Sequence, residues 1–197
     1  MRKVLFALVF LAFVAPVKAA PPPVGVIEAF YKVLLDTMRN AERLGFEGRR
    51  QILAPAIDKA YNLPLMARLA IGPQWNGLTP DEQQRFTAAF RELTLSTYAA
   101  RFDGYSGEQL LVEPDAQSVQ GGMIVRSKIV QSDGEPVQVD YLMRQDGDSW
   151  KIIDVYLKGT VSELATRRSE FSSVLRRDGA EALLRLMDRK IAEAREG

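Results

Sequence analysis

The stretch Gly122-Met123-Ile124-Val125-Arg126-Ser127-Lys128-Ile129-Val130 decides the fold. Met123, Val125, Ser127 and Ile129 fall on one side of an extended chain and Arg126 and Lys128 on the other, the period of two that a half-buried strand requires. Residues 136–145 repeat the pattern, with Val137, Val139, Tyr141 and Met143 opposed by Gln138, Asp140 and Arg144. Segments 108–114 and 149–158 read as further strands. Asp133-Gly134 and Asp146-Gly147 are hairpin-turn dipeptides, so consecutive strands are expected to pair antiparallel. A four-stranded meander with one wet face needs cover on the other, and the chain on either side must supply it.

That cover is helical. Ile27, Tyr31, Leu34 and Met38 recur at helical spacing over 24–43, with Gly45 and Gly48 as breaks. Ile52, Leu53, Ile57 and Tyr61 share the side of a second helix, which Pro55 is expected to kink or restart. Asn62-Leu63-Pro64 opens a short third helix that Gly72-Pro73 ends. Thr79-Pro80-Asp81-Glu82 is a capping box with proline at the first helical position. Its helix runs to about Phe102, with Phe86, Phe90, Leu93 and Thr97 as its stripe and Gly104 as its stop. Beyond the strands, Ser162 caps a helix carrying Leu164, Phe171, Val174 and Leu175. Asp178 to Glu181 then starts another, with Leu183, Leu184, Met187 and Ile191 along it. The class is α+β.

The N-terminus carries an address. Arg2-Lys3 precedes an unbroken apolar run from Val4 to Val14, and Val17-Lys18-Ala19-Ala20 offers small residues for cleavage after Ala19. Pro16 and those small residues end the run too early for an anchor, so residues 1–19 are expected to be a signal peptide and the chain to be exported. Residues 20–197 then form one domain: a helical lobe at 24–103, the sheet at 108–158 and C-terminal helices at 162–195. No second stretch is long and apolar enough to span a membrane.

Composition removes much chemistry. The 197 residues include no Cys and no His, which excludes disulfides, thiol nucleophiles, Cys-type zinc sites and a Ser-His-Asp triad. With 26 Lys and Arg against 25 Asp and Glu, a nucleic-acid partner is not expected; without Arg2, Lys3 and Lys18 the balance is about −2. Asp103, Asp140 and Asp154 are the candidate acid–base carboxylates, but salt bridges and turn contacts account for each more simply; Arg144 and Lys151 are the neighbours expected for Asp154. Gly104-Tyr105-Ser106-Gly107 has the wrong spacing for a nucleophile elbow and no histidine to activate Ser106. The doublets Arg49-Arg50, Arg167-Arg168 and Arg176-Arg177 are candidates for a phosphate headgroup or an acidic partner surface, set against a plain solvated helix face. No EF-hand spacing or other metal cluster appears. The expectation is a non-enzyme with no catalytic residue, metal or cofactor. The apolar faces leave two readings open, a closed core and a hollow for an apolar ligand.

Several motifs carry a resemblance. Leu44-Gly45-Phe46-Glu47-Gly48-Arg49, Leu63-Pro64-Leu65-Met66-Ala67-Arg68, Gly72-Pro73-Gln74-Trp75 and Thr97-Tyr98-Ala99-Ala100-Arg101-Phe102 resemble the MlaC-like family, also called toluene-tolerance auxiliary proteins. So do Trp150-Lys151-Ile152-Ile153-Asp154-Val155 and Gly159-Thr160-Val161-Ser162 followed by Phe171. Arg101-Phe102-Asp103-Gly104-Tyr105-Ser106-Gly107-Glu108 and Ala165-Thr166-Arg167-Arg168-Ser169-Glu170-Phe171 resemble its hopanoid-associated branch, HpnM. The resemblance implies a twisted four-stranded antiparallel sheet packed with N- and C-terminal helices around an apolar cavity. It implies a periplasmic carrier whose ligand is phospholipid or hopanoid. Its implied partners are an outer-membrane lipoprotein complex and an inner-membrane ABC transporter with an MCE-domain ring.

Placed on this sequence, the implied lipid-binding wall comprises Met123, Val125, Ile129, Val139, Tyr141, Ile153 and Val155 from the strands. Phe90, Thr94 and Tyr98 line it from the long helix, and Leu164, Phe171 and Leu175 from the C-terminal side. Tyr98 and Tyr105 are expected near the mouth with their hydroxyls in water. The rival to the carrier is a periplasmic adaptor with a closed core that docks membrane complexes.

Overall fold

A computed structural model describes residues 22–131 and 134–196. The expected signal peptide and Asp133 of the first hairpin dipeptide lie outside the described residues.

Helix α1, Pro23–Arg39, buries Ile27, Tyr31, Leu34 and Met38 as its spacing predicts, and Phe30 besides. Helix α2, Ala41–Ala60, turns at Gly45, whose φ of 61° places it in the left-handed region that only glycine enters freely. Gly48 stays helical and the helix runs through Pro55, so the break lies at Gly45 rather than at the proline. Proline removes one helical donor, toward Gln51 four residues back, and Gln51 is on the solvent side.

Helix α3, Leu63–Ile71, is capped by Asn62, whose side-chain oxygen accepts from Leu65 N–H at 3.0 Å. A short 3-10 turn, Gly72–Gly77, leads to α4, Pro80–Arg101. The capping box is complete: Glu82 N–H donates to Thr79 Oγ1 at 3.3 Å and Thr79 N–H donates to Glu82 Oε2 at 2.8 Å.

The sheet has five strands rather than four: β1 Gln109–Val119, β2 Gly122–Val130, β3 Val137–Asp146, β4 Ser149–Leu157 and β5 Val161–Ser162, in that order across the sheet and antiparallel throughout. The fifth strand has two residues, too few to show any period. β1 runs past Pro114 because it is an edge strand and its register shifts between Val112 and Ala116, a place where a missing N–H is tolerated. Met123 faces Met143, Val125 faces Tyr141, Ser127 faces Val139 and Ile129 faces Val137, as the alternation requires. Gly122 lets the next strand close in: a Cβ there would stand 2.1 Å from the Met143 carbonyl oxygen.

The outer face is not uniformly wet. Asp140 lies in register between Arg126 and Tyr156 on the flanking strands and is only 6% exposed, its carboxylate accepting from Gln138 Nε2 at 3.0 Å. Long cross-strand neighbours cover a short side chain between them.

Helix α5, Glu163–Asp178, and α6, Ala180–Glu196, complete the cover. α1 packs on β1, β2 and β4; α2, α3 and α5 pack on β4; α4 packs on α2, α3 and α6. Among the described residues no helix is long and apolar enough to cross a membrane.

Candidate functional site

Asp154 sets the geometry of the site. Instead of pairing with Arg144 or Lys151, its carboxylate accepts from Val155 N–H at 2.7 Å, Ser162 Oγ at 2.6 Å and Leu164 N–H at 3.1 Å. Ser162 Oγ in turn accepts from Ala165 N–H at 2.8 Å. A buried carboxylate on a helix N-terminus is held there by the free N–H groups and by the helix dipole. Arg144 donates to the Gly121 carbonyl at 3.2 Å, and Lys151 to the Lys59 carbonyl at the end of α2 at 2.6 Å. Asp154 therefore pins the start of α5 to β4, and α5 leaves the sheet edge from a fixed point.

Between α5, α4 and the inner face of the sheet lies a pocket of about 200 Å³. α4 contributes Phe90, Thr94, Thr97, Tyr98 and Arg101, with Phe102 just beyond. These residues recur at three- and four-residue steps and so share one helical face. Thr94 and Thr97 donate their hydroxyls back to the Phe90 and Leu93 carbonyls at 2.8 and 2.7 Å, which removes their polarity from the pocket. The sheet contributes Ile129, Val137, Val139, Tyr141, Val155 and Leu157. Leu164 with Glu163 and Arg167 comes from α5, and Tyr61 and Met66 come from the α2–α3 side.

Of the residues placed on the wall from sequence, Phe90, Thr94, Tyr98, Ile129, Val139, Tyr141, Val155 and Leu164 meet around this pocket. Met123, Val125, Ile153, Phe171 and Leu175 do not line it. Val125 and Phe171 are sealed in the core at 0% exposure. Met123 pairs with Met143 toward the far end of β2, and Leu175 packs against the core from α5. Ile153 is displaced by a bulge: Leu142 pairs with Asp154 but Met143 pairs with Ile152, so Ile152 takes the inward register. Val137 and Leu157 continue the same alternation that placed Val139 and Val155. Arg167 belongs to a doublet that the sequence leaves open between a phosphate site and a solvated face, while nothing in the sequence singles out Arg101 and Glu163 for the site. Arg101 and Arg167 lie one turn from wall residues Tyr98 and Leu164, and Glu163 lies beside Leu164.

Hydroxyls cluster at the inner end of the pocket. Tyr61 and Tyr98 hydrogen-bond through their hydroxyls, so Tyr98 does not present its polar end to water. Ser127 donates to the Val139 carbonyl, which leaves its oxygen to accept from Tyr31 at 2.6 Å. This explains a serine on the inner face of the sheet. Phe30 meets the rings of Tyr61 and Tyr98 edge-on, with centroids 5.6 and 5.4 Å away. Burial pushes the Tyr98 hydroxyl pKa up to about 12 and those of Tyr61 and Tyr141 well above the ordinary tyrosine value. Tyr105 stands elsewhere, 42% exposed beneath the Arg39 guanidinium at 5.3 Å.

The rim is polar. Arg101 Nη1 lies 4.0 Å from Glu163 Oε2, and the Arg167 guanidinium sits over the Phe90 ring at 5.8 Å. Arg49 and Arg50 are structural: Arg49 donates to the Ala99 carbonyl at 2.8 Å, and Arg50 pairs with Glu47 and Glu92. Arg177 pairs with Asp178. Among the described residues no group of three or more acidic side chains could hold a metal ion.

Known proteins share this architecture. A phospholipid-binding protein from Ralstonia solanacearum, solved in complex with a phospholipid, superimposes with a TM-score of 0.76 at 21% identity, over 87% of this chain and 98% of that one. At that identity the likeness establishes the fold. The intermembrane phospholipid transport system binding protein MlaC of Haemophilus influenzae is 22% identical over 190 residues, covering 93% of this chain and 88% of the relative. The family model described as MlaC protein matches residues 28–189, and with most of its length so matched, the chain belongs to the MlaC protein family.

Proposed function

We propose that the protein is a periplasmic lipid carrier, sheathing acyl chains in the pocket between α4, α5 and the sheet while the headgroup stays at the rim. One observation carries the reading: the pocket wall is apolar side chains and back-bonded threonines, with charge only at Arg101, Glu163 and Arg167. Each methylene shielded from water is worth about 0.8 kcal/mol, so a sixteen-carbon chain left bare costs on the order of 12 kcal/mol. A diffusing carrier must cover its cargo. At about 200 Å³ the pocket is below the roughly 300–1,000 Å³ usual for small-molecule sites, so loading requires its walls to part. The mouth between α4 and α5 is where they would do so, giving a shift between closed and open populations.

In this reading the carrier moves cargo between an outer-membrane lipoprotein complex and an inner-membrane MCE/ABC transporter. The segments at 101–108 and 165–171 support placement in the hopanoid-associated branch, with a hopanoid or a phospholipid as cargo. The test is mass spectrometry of an organic extract of the purified protein, followed by uptake from labelled liposomes. Co-purifying lipid at near-stoichiometric ratio is expected, and its headgroup and skeleton identify the cargo. Repeated recovery of none, with no uptake, would favour the closed-core adaptor.

A further inference from the structure

Building on the carrier reading, we propose that Arg167, seconded by Arg101, forms an anion site at the pocket rim that takes the phosphate of a phospholipid headgroup. Arg167 is half-buried on the wall of an apolar pocket, with its guanidinium against the Phe90 ring. Among the described residues it makes no hydrogen bond and no ion pair. The carboxylates around it are engaged elsewhere: Glu170 pairs with Lys190 at 2.9 Å, and Glu163 leans toward Arg101 at 4.0 Å. A guanidinium partly withdrawn from water, with five donors and no acceptor, gains from an anion that takes those donors. Desolvation accordingly pulls the Arg167 pKa down from its ordinary value, while Arg101 adds like charge nearby.

The location fits cargo geometry. A lipid whose chains enter beside Phe90 and Val139 leaves its headgroup at Arg101 and Arg167. The planar fork of arginine matches phosphate oxygens two at a time. Glu163, one turn before Arg167 on α5, is the resident anion that partly balances the pair in the empty protein. Its 4.0 Å approach to Arg101 is at the outer limit of an ion pair, so an arriving phosphate displaces a weak contact. An uncharged lipid gains nothing from this site.

The experiment compares affinities of the delipidated protein for phosphatidylglycerol and for diacylglycerol of the same chains, in wild type, Arg167→Gln, Arg167→Lys and Glu163→Gln. The phosphatidylglycerol preference should fall about tenfold in Arg167→Gln, recover partly in Arg167→Lys and rise in Glu163→Gln. A preference unchanged by Arg167→Gln overturns the proposal even if both lipids bind. Wild type that binds neither lipid brings down the carrier reading itself. Inorganic phosphate is the control for a free anion. If millimolar phosphate perturbs the Arg167 Nε resonance while the lipid preference ignores the substitutions, the headgroup assignment is overturned in favour of a free-anion site. Thermal unfolding of each variant separates misfolding from lost recognition.

Discussion

At one end of the sheet's inner face Val125, Met143 and Ile152 are wholly buried, whereas at the other Ile129, Val137 and Leu157 border a hollow. Both ends are built from the same kind of alternating apolar residue on the same strands. What differs is how the helices are attached. At the closed end Tyr61 forms a parallel bridge to Ile152, and Asn62 N–H donates to the Ile152 carbonyl at 2.9 Å, which draws the α2–α3 junction down onto β4. At the hollow end Asp154 fixes the start of α5 to β4, the rest of α5 packs mainly on α3 and α6, and α5 faces α4 across the pocket. A backbone tether onto the sheet closes a core; a helix packed more on other helices than on the sheet leaves a groove beside it.

The contrast can be broken most directly by mutation at each end. Met143→Ala leaves an unfilled void in the closed end and should cost about 2–5 kcal/mol in urea unfolding. Val139→Trp pushes bulk into the hollow end and should cost less than the roughly 1–3 kcal/mol of ordinary overpacking, while abolishing lipid uptake. Val139→Trp as damaging as the core truncation, or uptake surviving it, would erase the distinction between the two ends.

The tyrosines at the border between the ends give a smaller, pH-dependent effect. Tyr98 titrates at about 12 in the folded protein against an ordinary 10.0, because burial disfavours the phenolate. The folded state therefore holds this proton more tightly than the unfolded chain does. Stability from this source is fully present below pH 10 and is lost as pH rises from 10 toward 12. Urea midpoints should fall over that interval as tyrosinate absorbance near 295 nm rises, and Tyr98→Phe should flatten the fall. A midpoint independent of pH there would mean that the hydroxyl cluster is wet.

Smallest is the effect of Thr79→Ala, which removes the α4 cap far from either end. It should cost about 1 kcal/mol and leave lipid uptake at the wild-type rate. A change in uptake would show that the pocket depends on the whole of α4 and not on its C-terminal half.

Much of this was legible in the residues. The capping box at Thr79, the Asn62 cap and the inward set of β2 and β3 follow from local chemistry and appear in the structure. The fifth strand was not legible, since two residues carry no pattern. Ile153 moved because a bulge, which leaves no compositional mark, changes register within β4. Asp140 read as a wet-face charge and Asp154 as a neighbour of Arg144 and Lys151, yet Asp140 is covered by its cross-strand neighbours and Asp154 by the start of α5. For Arg167 the sequence left a phosphate site and a solvated face both open, because its burial depends on α4 lying opposite.

By itself the sequence determined the period of every long element, the caps that start the helices, the absence of thiol and imidazole chemistry, and which side of β2 and β3 is apolar. These are properties of neighbours along the chain, governed by backbone sterics and by the alternation of side chains. Only the tertiary structure decided that one half of the apolar face is sealed and the other stands open, and that Arg101, Glu163 and Arg167 gather at the opening. Close packing and empty space use the same apolar residues; which of them forms depends on the distance between elements, and tethers between elements such as Tyr61 to Ile152 and Asp154 to Leu164 bear on that distance.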